Sequence, residues 1–104
     1  MTIQFNTDKT ISGSEGNTAP FIAQITDELS RFASNITRIE VHLSDENGKK
    51  DGLNNIRCLM EARLEGKQPI AVTNQADSVD QAVSGAIDKL KASLETITGR
   101  ERNY

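Results

Sequence analysis

Two stretches of alternating apolar and polar residues decide the fold of this chain: ITRIEVHLS at residues 36–44 and NIRCLMEARLE at residues 55–65. In the second stretch, every second residue from Ile56 to Leu64 is apolar or a cysteine, and the residues between them are mostly charged. Successive side chains of a β-strand point to opposite faces of the sheet. The period of two therefore predicts two strands that each have one buried face and one polar face.

The neighbouring segments predict two more strands. Residues 2–6 alternate in a short first strand, and residues 70–72 begin a fourth strand directly behind Pro69, a position that suits a strand start or an edge. A tight turn at Gly66 and Lys67 joins the third and fourth strands into a hairpin. The sequence therefore predicts four strands in all.

Two segments carry apolar residues at helical spacing. The first spans about residues 18–33, with Pro20 in its first turn, where a missing N–H costs nothing. The second begins at Ser78, which forms the capping pattern S-x-x-Q with Gln81. Its apolar stripe runs for about five turns, and we expect Gly99 to end it as the C-cap.

These elements follow the order β-α-β-β-β-α. A right-handed crossover makes the first two strands parallel, and short connections make the second, third and fourth antiparallel. Both amphipathic helices must cover the apolar side of the sheet. We therefore predict an α+β fold in which a four-stranded sheet packs two helices on one face, with residues 1–99 as a single domain and residues 100–104 as a polar C-terminal tail.

Length and composition limit the class of protein. The 104 residues suit one domain, and Cys58, the single cysteine, cannot form an internal disulfide, which fits a reducing compartment. The N-terminus lacks a signal-peptide pattern, and no run of about 20 apolar residues is present. We expect a cytoplasmic protein with no membrane partner.

The overall charge does not favour nucleic acid. The chain has 12 Lys and Arg against 15 Asp and Glu, a net charge of −3, and its pI is about 5.1. Proteins that neutralise phosphates usually carry a basic domain or stripe. Half of the basic residues lie between residues 36 and 75, however, where they balance the acidic ones. A negative net charge therefore does not exclude a surface that is locally basic.

Side chains suited to catalysis are scarce. Strand alternation places His42 on the polar face and Cys58 in the core, so the two cannot form a nucleophilic pair or share a metal ion. Phosphate-binding loops, hydrolase motifs and zinc motifs are absent from the sequence, and the acidic stretch at residues 45–51 does not fit a calcium loop. We expect no enzyme activity, no metal, no cofactor and no small-molecule substrate.

The polar face of the predicted sheet is the remaining candidate site. Two alternatives stay open for it, because Glu40 and Glu61 share the face with its basic residues. A register with Arg38 opposite Glu61 would make the surface self-compensating. The role of the lysines near the end of the last helix could likewise be limited to a favourable interaction with the negative end of the helix dipole. The basic candidates are Arg38, His42, Arg57 and Arg63 on the face, Lys49 and Lys50 in the loop beside it, and Lys89 and Lys91 on the last helix.

An ordered set of segments resembles a known family. The segments are RIEVHLSDENG at residues 38–48, RCLMEAR at 57–63, ADSVDQAV at 76–83 and DKL at 88–90. Over about residues 18–100 they are similar to the ribosome hibernation-promoting factor family, which includes the ribosome-associated inhibitor A. The resemblance, to a short form, implies a β-α-β-β-β-α domain that binds the small ribosomal subunit and its RNA. It would occlude the mRNA and tRNA sites and so inhibit translation under stress.

The resemblance also implies the role of the basic residues. They would contact phosphates of ribosomal RNA, a mode that positions a protein with little reading of bases. An alternative function is a non-catalytic protein-interaction or regulatory module that kept this fold without ribosome binding, since fold does not fix function. The implied RNA-binding residues are Arg38, His42, Lys49, Lys50, Arg57, Arg63, Lys89 and Lys91.

Overall fold

The computed structural model describes residues 1–7, 18–45 and 56–102, with side chains up to residue 97. Its element order is the predicted β-α-β-β-β-α, and the α+β class is confirmed. The elements are strand β1 (Thr2–Thr7), helix α1 (Ala19–Glu28), a 3₁₀ turn (Ser30–Phe32), strands β2 (Ile36–Asp45), β3 (Ile56–Leu64) and β4 (Ile70–Ala76), and helix α2 (Val79–Arg102).

The four strands form one sheet in the order β1-β2-β3-β4. β1 runs parallel to β2, as a crossover through α1 requires, and the other two pairs are antiparallel. One row of partners crosses the whole sheet on its buried side: Phe5, Val41, Met60 and Val72. Both strand directions and the predicted hairpin are thus confirmed, and Gly66 takes the positive φ of 73° in the turn.

The core lies between this buried side and the two helices. All alternate residues of β3 from Ile56 to Leu64 are buried, which confirms the pattern read from the sequence. α1 adds Ile25, its C-cap residue Leu29 is also buried, and α2 adds a stripe centred on Ile87. Among the residues that the structure describes, no polar or charged side chain is buried. The core is therefore aliphatic and one-sided, and the opposite side of the sheet is left to solvent.

The helices differ from the prediction at their C-terminal ends. The expected helix over 18–33 stops at Glu28 and tightens into the 3₁₀ turn, in which the Phe32 N–H donates to the Leu29 carbonyl at 3.0 Å. This tighter turn still buries Phe32. The expected C-cap at Gly99 is wrong, because α2 continues to Arg102 and so includes part of the predicted tail. A glycine inside a helix costs only about 1 kcal/mol, which the neighbouring turns offset.

Two polar contacts fix the start of α2 against the sheet. Ser78 Oγ accepts the Gln81 N–H at 3.2 Å, as the capping pattern predicts. Asn74 of β4 donates its amide to the carbonyl of Ala82 at 3.2 Å. A Cβ at Gly85 would lie 2.6 Å from Cγ of Asn74, so the missing side chain at 85 makes room for this contact.

Cys58 lies in the core with no exposed surface. Burial raises the pKa of its thiol from 9.0 to about 12, because the thiolate would have to leave water. The thiol therefore stays protonated and inert at neutral pH, as expected for a small core residue.

We predict that the free energy of unfolding falls as the pH rises above the ordinary thiol pKa. The contribution of the buried thiol to the free energy of unfolding is complete below about pH 9 and is lost as the pH rises towards about 12. Between these two pH values the thiol ionises in the unfolded chain but stays protonated in the folded one. Urea unfolding at about pH 8 and about pH 10 should show a loss on the order of 1 kcal/mol that Cys58→Ala does not share. Equal pH dependence in both proteins, or rapid labelling of the native thiol at neutral pH, would contradict the burial described here.

Candidate nucleic-acid interface

The solvated face is the side of the sheet opposite the helices. Its residues alternate with those of the core, so the same strand period that builds the core also presents this face. It is made of Thr2, Gln4 and Asn6 from β1, Arg38, Glu40, His42 and Ser44 from β2, Arg57, Leu59, Glu61 and Arg63 from β3, and Ala71, Thr73 and Gln75 from β4.

The charged half of this face consists of Arg38, Glu40, Glu61 and Arg63. The observed register places like charges opposite each other, Arg38 opposite Arg63 and Glu40 opposite Glu61. The register with Arg38 opposite Glu61 is therefore not the one adopted. Because like charges in direct opposition are unfavourable, the side chains turn to neighbours along the strand and across the diagonal.

Glu40 is the centre of this charged half. Its carboxylate lies 3.4 Å from Nη2 of Arg38 and 3.4 Å from Nη2 of Arg63. Arg63 also reaches Glu61, with 3.4 Å between Nε and Oε1. The Glu40 side chain is only 18% exposed, whereas both arginines are more open to solvent. Two positive and two negative charges thus compensate each other, and the basic and acidic residues are interleaved here.

The acid-free half of the face lies towards the ends of β1 and β2. One row of cross-strand partners here consists of Asn6, His42, Leu59 and Thr73. In the neighbouring row, Arg57 of β3 pairs with Ser44 of β2 on one side and with Gln75 of β4 on the other. Among the described residues that line an open depression here, none carries a carboxylate. Its lining residues are Asn6, Thr7, His42, Leu43, Ser44, Arg57 and Leu59.

The two lysines of α2 are not part of the solvated face. Lys89 donates from Nζ to the carbonyl of Thr73 in the edge strand β4 at 2.8 Å. Lys91 Nζ lies 3.7 Å from a carboxylate oxygen of Glu28 on α1. The structure therefore brings Arg38, His42, Arg57 and Arg63 onto one surface and places Lys89 at its rim and Lys91 between the helices. Lys49 and Lys50 lie outside the described residues, in the segment that joins β2 to β3.

Sequence reasoning missed two features of these surfaces. Leu59 lies on the solvated face between Arg57 and Glu61 of β3, an apolar residue for which the alternation pattern predicts no role. The ion pair between Arg31 and Glu95, which are 64 residues apart, has no sequence signal at all. Arg31 also lies over the ring of Phe32, 4.6 Å from its centroid.

Within residues 1–7, 18–45 and 56–97, no group of three or more His, Cys, Asp or Glu side chains could hold a metal ion. In the part of the chain that the structure describes, no helix has the length and apolar character needed to cross a membrane.

Comparisons with solved structures show the same fold in two other proteins. The N-terminal domain of protein Y from Thermus thermophilus superposes with a TM-score of 0.70 at 16% identity, covering 93% of this chain and 99% of that one. A ribosomal subunit interface protein from Coxiella burnetii superposes with a TM-score of 0.67 at 17% identity, covering 95% of this chain and 99% of that one. At such low identity the likeness shows the fold alone.

Comparison at the sequence level identifies the family. No curated protein matches the chain closely enough to count as a relative. The family described as sigma 54 modulation protein / S30EA ribosomal protein matches residues 11–102, which is most of the chain. This match confirms the resemblance to hibernation-promoting factors that the ordered segments indicate. The chain belongs to the sigma 54 modulation protein / S30EA ribosomal protein family.

Proposed function

We propose that this protein is a cytoplasmic translation inhibitor that binds the small ribosomal subunit and its RNA. The family match over residues 11–102 carries the proposal. The similar fold of a ribosomal subunit interface protein from Coxiella burnetii supports it. By occupying the path of mRNA and the tRNA sites, the bound domain would keep an idle ribosome from starting translation under stress.

Inhibition of this kind needs occupancy and no chemical step. The described part of the domain is elongated, with principal extents of 51 × 23 × 20 Å, so one bound copy would exclude other macromolecules from a volume about 50 Å long. The surface that fits the role is the solvated face, because the helices leave it uncovered. This side of the described sheet carries four basic side chains, Arg38, His42, Arg57 and Arg63. Binding would follow from phosphate contacts and shape.

The two halves of the face would contribute unequally. In the charged half, a phosphate that approaches Arg38 or Arg63 must compete with Glu40. In the acid-free half, Arg57 and His42 border a depression whose described lining residues include no carboxylate. We infer that RNA contacts concentrate in the acid-free half, extended by Lys49 and Lys50 of the adjoining segment. Lys89 would add to the rim, while Glu28 already compensates the charge of Lys91.

The alternative function, a protein-interaction module without ribosome binding, is favoured by one observation. The interleaved charges of Arg38, Glu40, Glu61 and Arg63 make half of the solvated face electrically neutral overall. An affinity purification dominated by one non-ribosomal protein, with ribosomal proteins absent, would support this function. Recovery of small-subunit proteins would support the inhibitor.

We predict salt-dependent binding to purified small subunits in a co-sedimentation assay. With roughly two to four phosphate contacts, each releasing counterions, affinity should fall about 10- to 100-fold between about 50 mM and about 200 mM salt. Large subunits serve as the control for non-specific RNA binding. Folded protein that stays in the supernatant at both salt concentrations would rule out the proposed function.

We predict that Arg57→Gln weakens small-subunit binding and that Lys91→Gln does not. Loss of one phosphate contact in the acid-free half should lower the slope of log affinity against log salt by about one. Lys91→Gln removes the same charge from the helix layer, where Glu28 already compensates it, and is therefore the matched control. Equal weakening by both variants would show that the solvated face is not the binding surface.

We predict that Glu40→Gln strengthens small-subunit binding several-fold at low salt. The substitution keeps the size of the side chain but releases Arg38 and Nη2 of Arg63 from a shared carboxylate, so both arginines become more available to phosphates, although Arg63 keeps its contact with Glu61. Glu95→Gln, which changes the net charge equally on the helix layer, is the control. An unchanged or lower affinity for Glu40→Gln, with the fold intact by circular dichroism, would contradict the unequal roles of the two halves.

A further inference from the structure

We propose that the cross-strand row, defined as Asn6, His42, Leu59 and Thr73, holds an unpaired nucleobase of single-stranded RNA. The base would stack on the imidazole of His42 and the side chain of Leu59. This inference rests on the proposed function and deepens it, because it names the form of RNA that the acid-free half recognises. It also assigns a role to an apolar side chain that phosphate contacts leave unexplained.

The register makes the four residues of the row direct cross-strand neighbours, one from each strand. His42 is the direct partner of Asn6 in β1 and of Leu59 in β3, and Leu59 is the direct partner of Thr73 in β4. Directly opposed residues have Cβ atoms about 4.5–5.5 Å apart. His42 and Leu59 therefore stand side by side and can form one continuous platform in the middle of the sheet.

The chemistry of the platform suits a base. Unstacked bases of single-stranded RNA pack on planar rings, histidine included, and such stacking tolerates any sequence. His42 is exposed, and Leu59 is half-buried on a face whose other described residues are polar apart from the small Ala71. The side chains at the two ends of the row, the amide of Asn6 and the hydroxyl of Thr73, can form hydrogen bonds with the edge of a base.

The surroundings favour single-stranded RNA over a duplex. A duplex keeps its bases stacked inside and offers mainly phosphates and 2′-hydroxyls, so its binding depends on a high density of cations. Among the described residues, the lining of the depression includes one arginine, Arg57. The four residues of the row include no lysine or arginine, so the row itself suits a stacked base better than the phosphates of a duplex.

The test measures binding to small subunits and to a fluorescent oligouridine of about 12 nucleotides, single-stranded or paired with oligoadenosine. The variants are His42→Ala, which removes the ring, His42→Phe, which keeps a planar ring, and Leu59→Thr. Thr96→Ala is the matched control, because Thr96 is an exposed residue of α2, outside the solvated face. Circular dichroism checks that each variant is folded.

We expect the wild-type protein to bind the single strand more tightly than the duplex. His42→Ala should lower affinity for the single strand and for the small subunit by about 5- to 150-fold, the range measured for loss of one stacked base. His42→Phe should retain the affinity, and Leu59→Thr should lower it. Because stacking releases no counterions, the salt slope of His42→Ala should equal that of the wild type.

The outcomes separate this inference from the proposed function. If the wild type and His42→Ala bind small subunits equally well, the function stands and the base site is wrong. If the wild type binds the oligouridine through His42 but not the small subunit, the base site stands and the function is wrong. A preference for the duplex, or a salt slope that falls by about one in His42→Ala, would overturn the base site in favour of a phosphate contact.

Discussion

The structure depends on the register of its four strands. On one side of the sheet the row Phe5, Val41, Met60 and Val72 packs against the helices, and the next residue of β1 and β2 already faces solvent. Because side chains alternate, a slip of one residue in any strand would move apolar residues into water and polar ones into the core. The core and the solvated face are therefore two consequences of one constraint, and neither can change without the other.

The register also explains how a protein with a net charge of −3 can present a basic surface. A slide of two residues between β2 and β3 would keep every side chain on its face, so core packing constrains the charge pairs of the solvated face only indirectly. The adopted register opposes like charges and gathers the arginines around Glu40. The described carboxylates of the face therefore lie in the charged half, and none belongs to the described residues that line the depression beside His42.

This distinction marks what the sequence could predict. Periodicity was sufficient for the element order, for the burial of alternate β3 residues and for the cap at Ser78, because each depends on neighbours within a few positions. The partners of Lys89 and Lys91 could not be predicted, since they depend on how α2 is rotated against β4 and α1. The same holds for Glu40, whose two arginine contacts depend on a cross-strand register that alternation leaves undetermined. The family resemblance supplied the candidate partner, which periodicity alone does not contain.

The placement of the basic residues has a consequence for how the protein would hold RNA. Lys89 binds the carbonyl of Thr73 in an edge strand, and a charged side chain at an edge discourages pairing with other chains. Lys91 neighbours Glu28, and Arg38 and Arg63 share Glu40. A count of basic residues therefore overstates the charge that is available to phosphates. If the protein binds RNA as proposed, its affinity would draw partly on contacts that do not depend on charge, and the platform of His42 and Leu59 is suited to supply them.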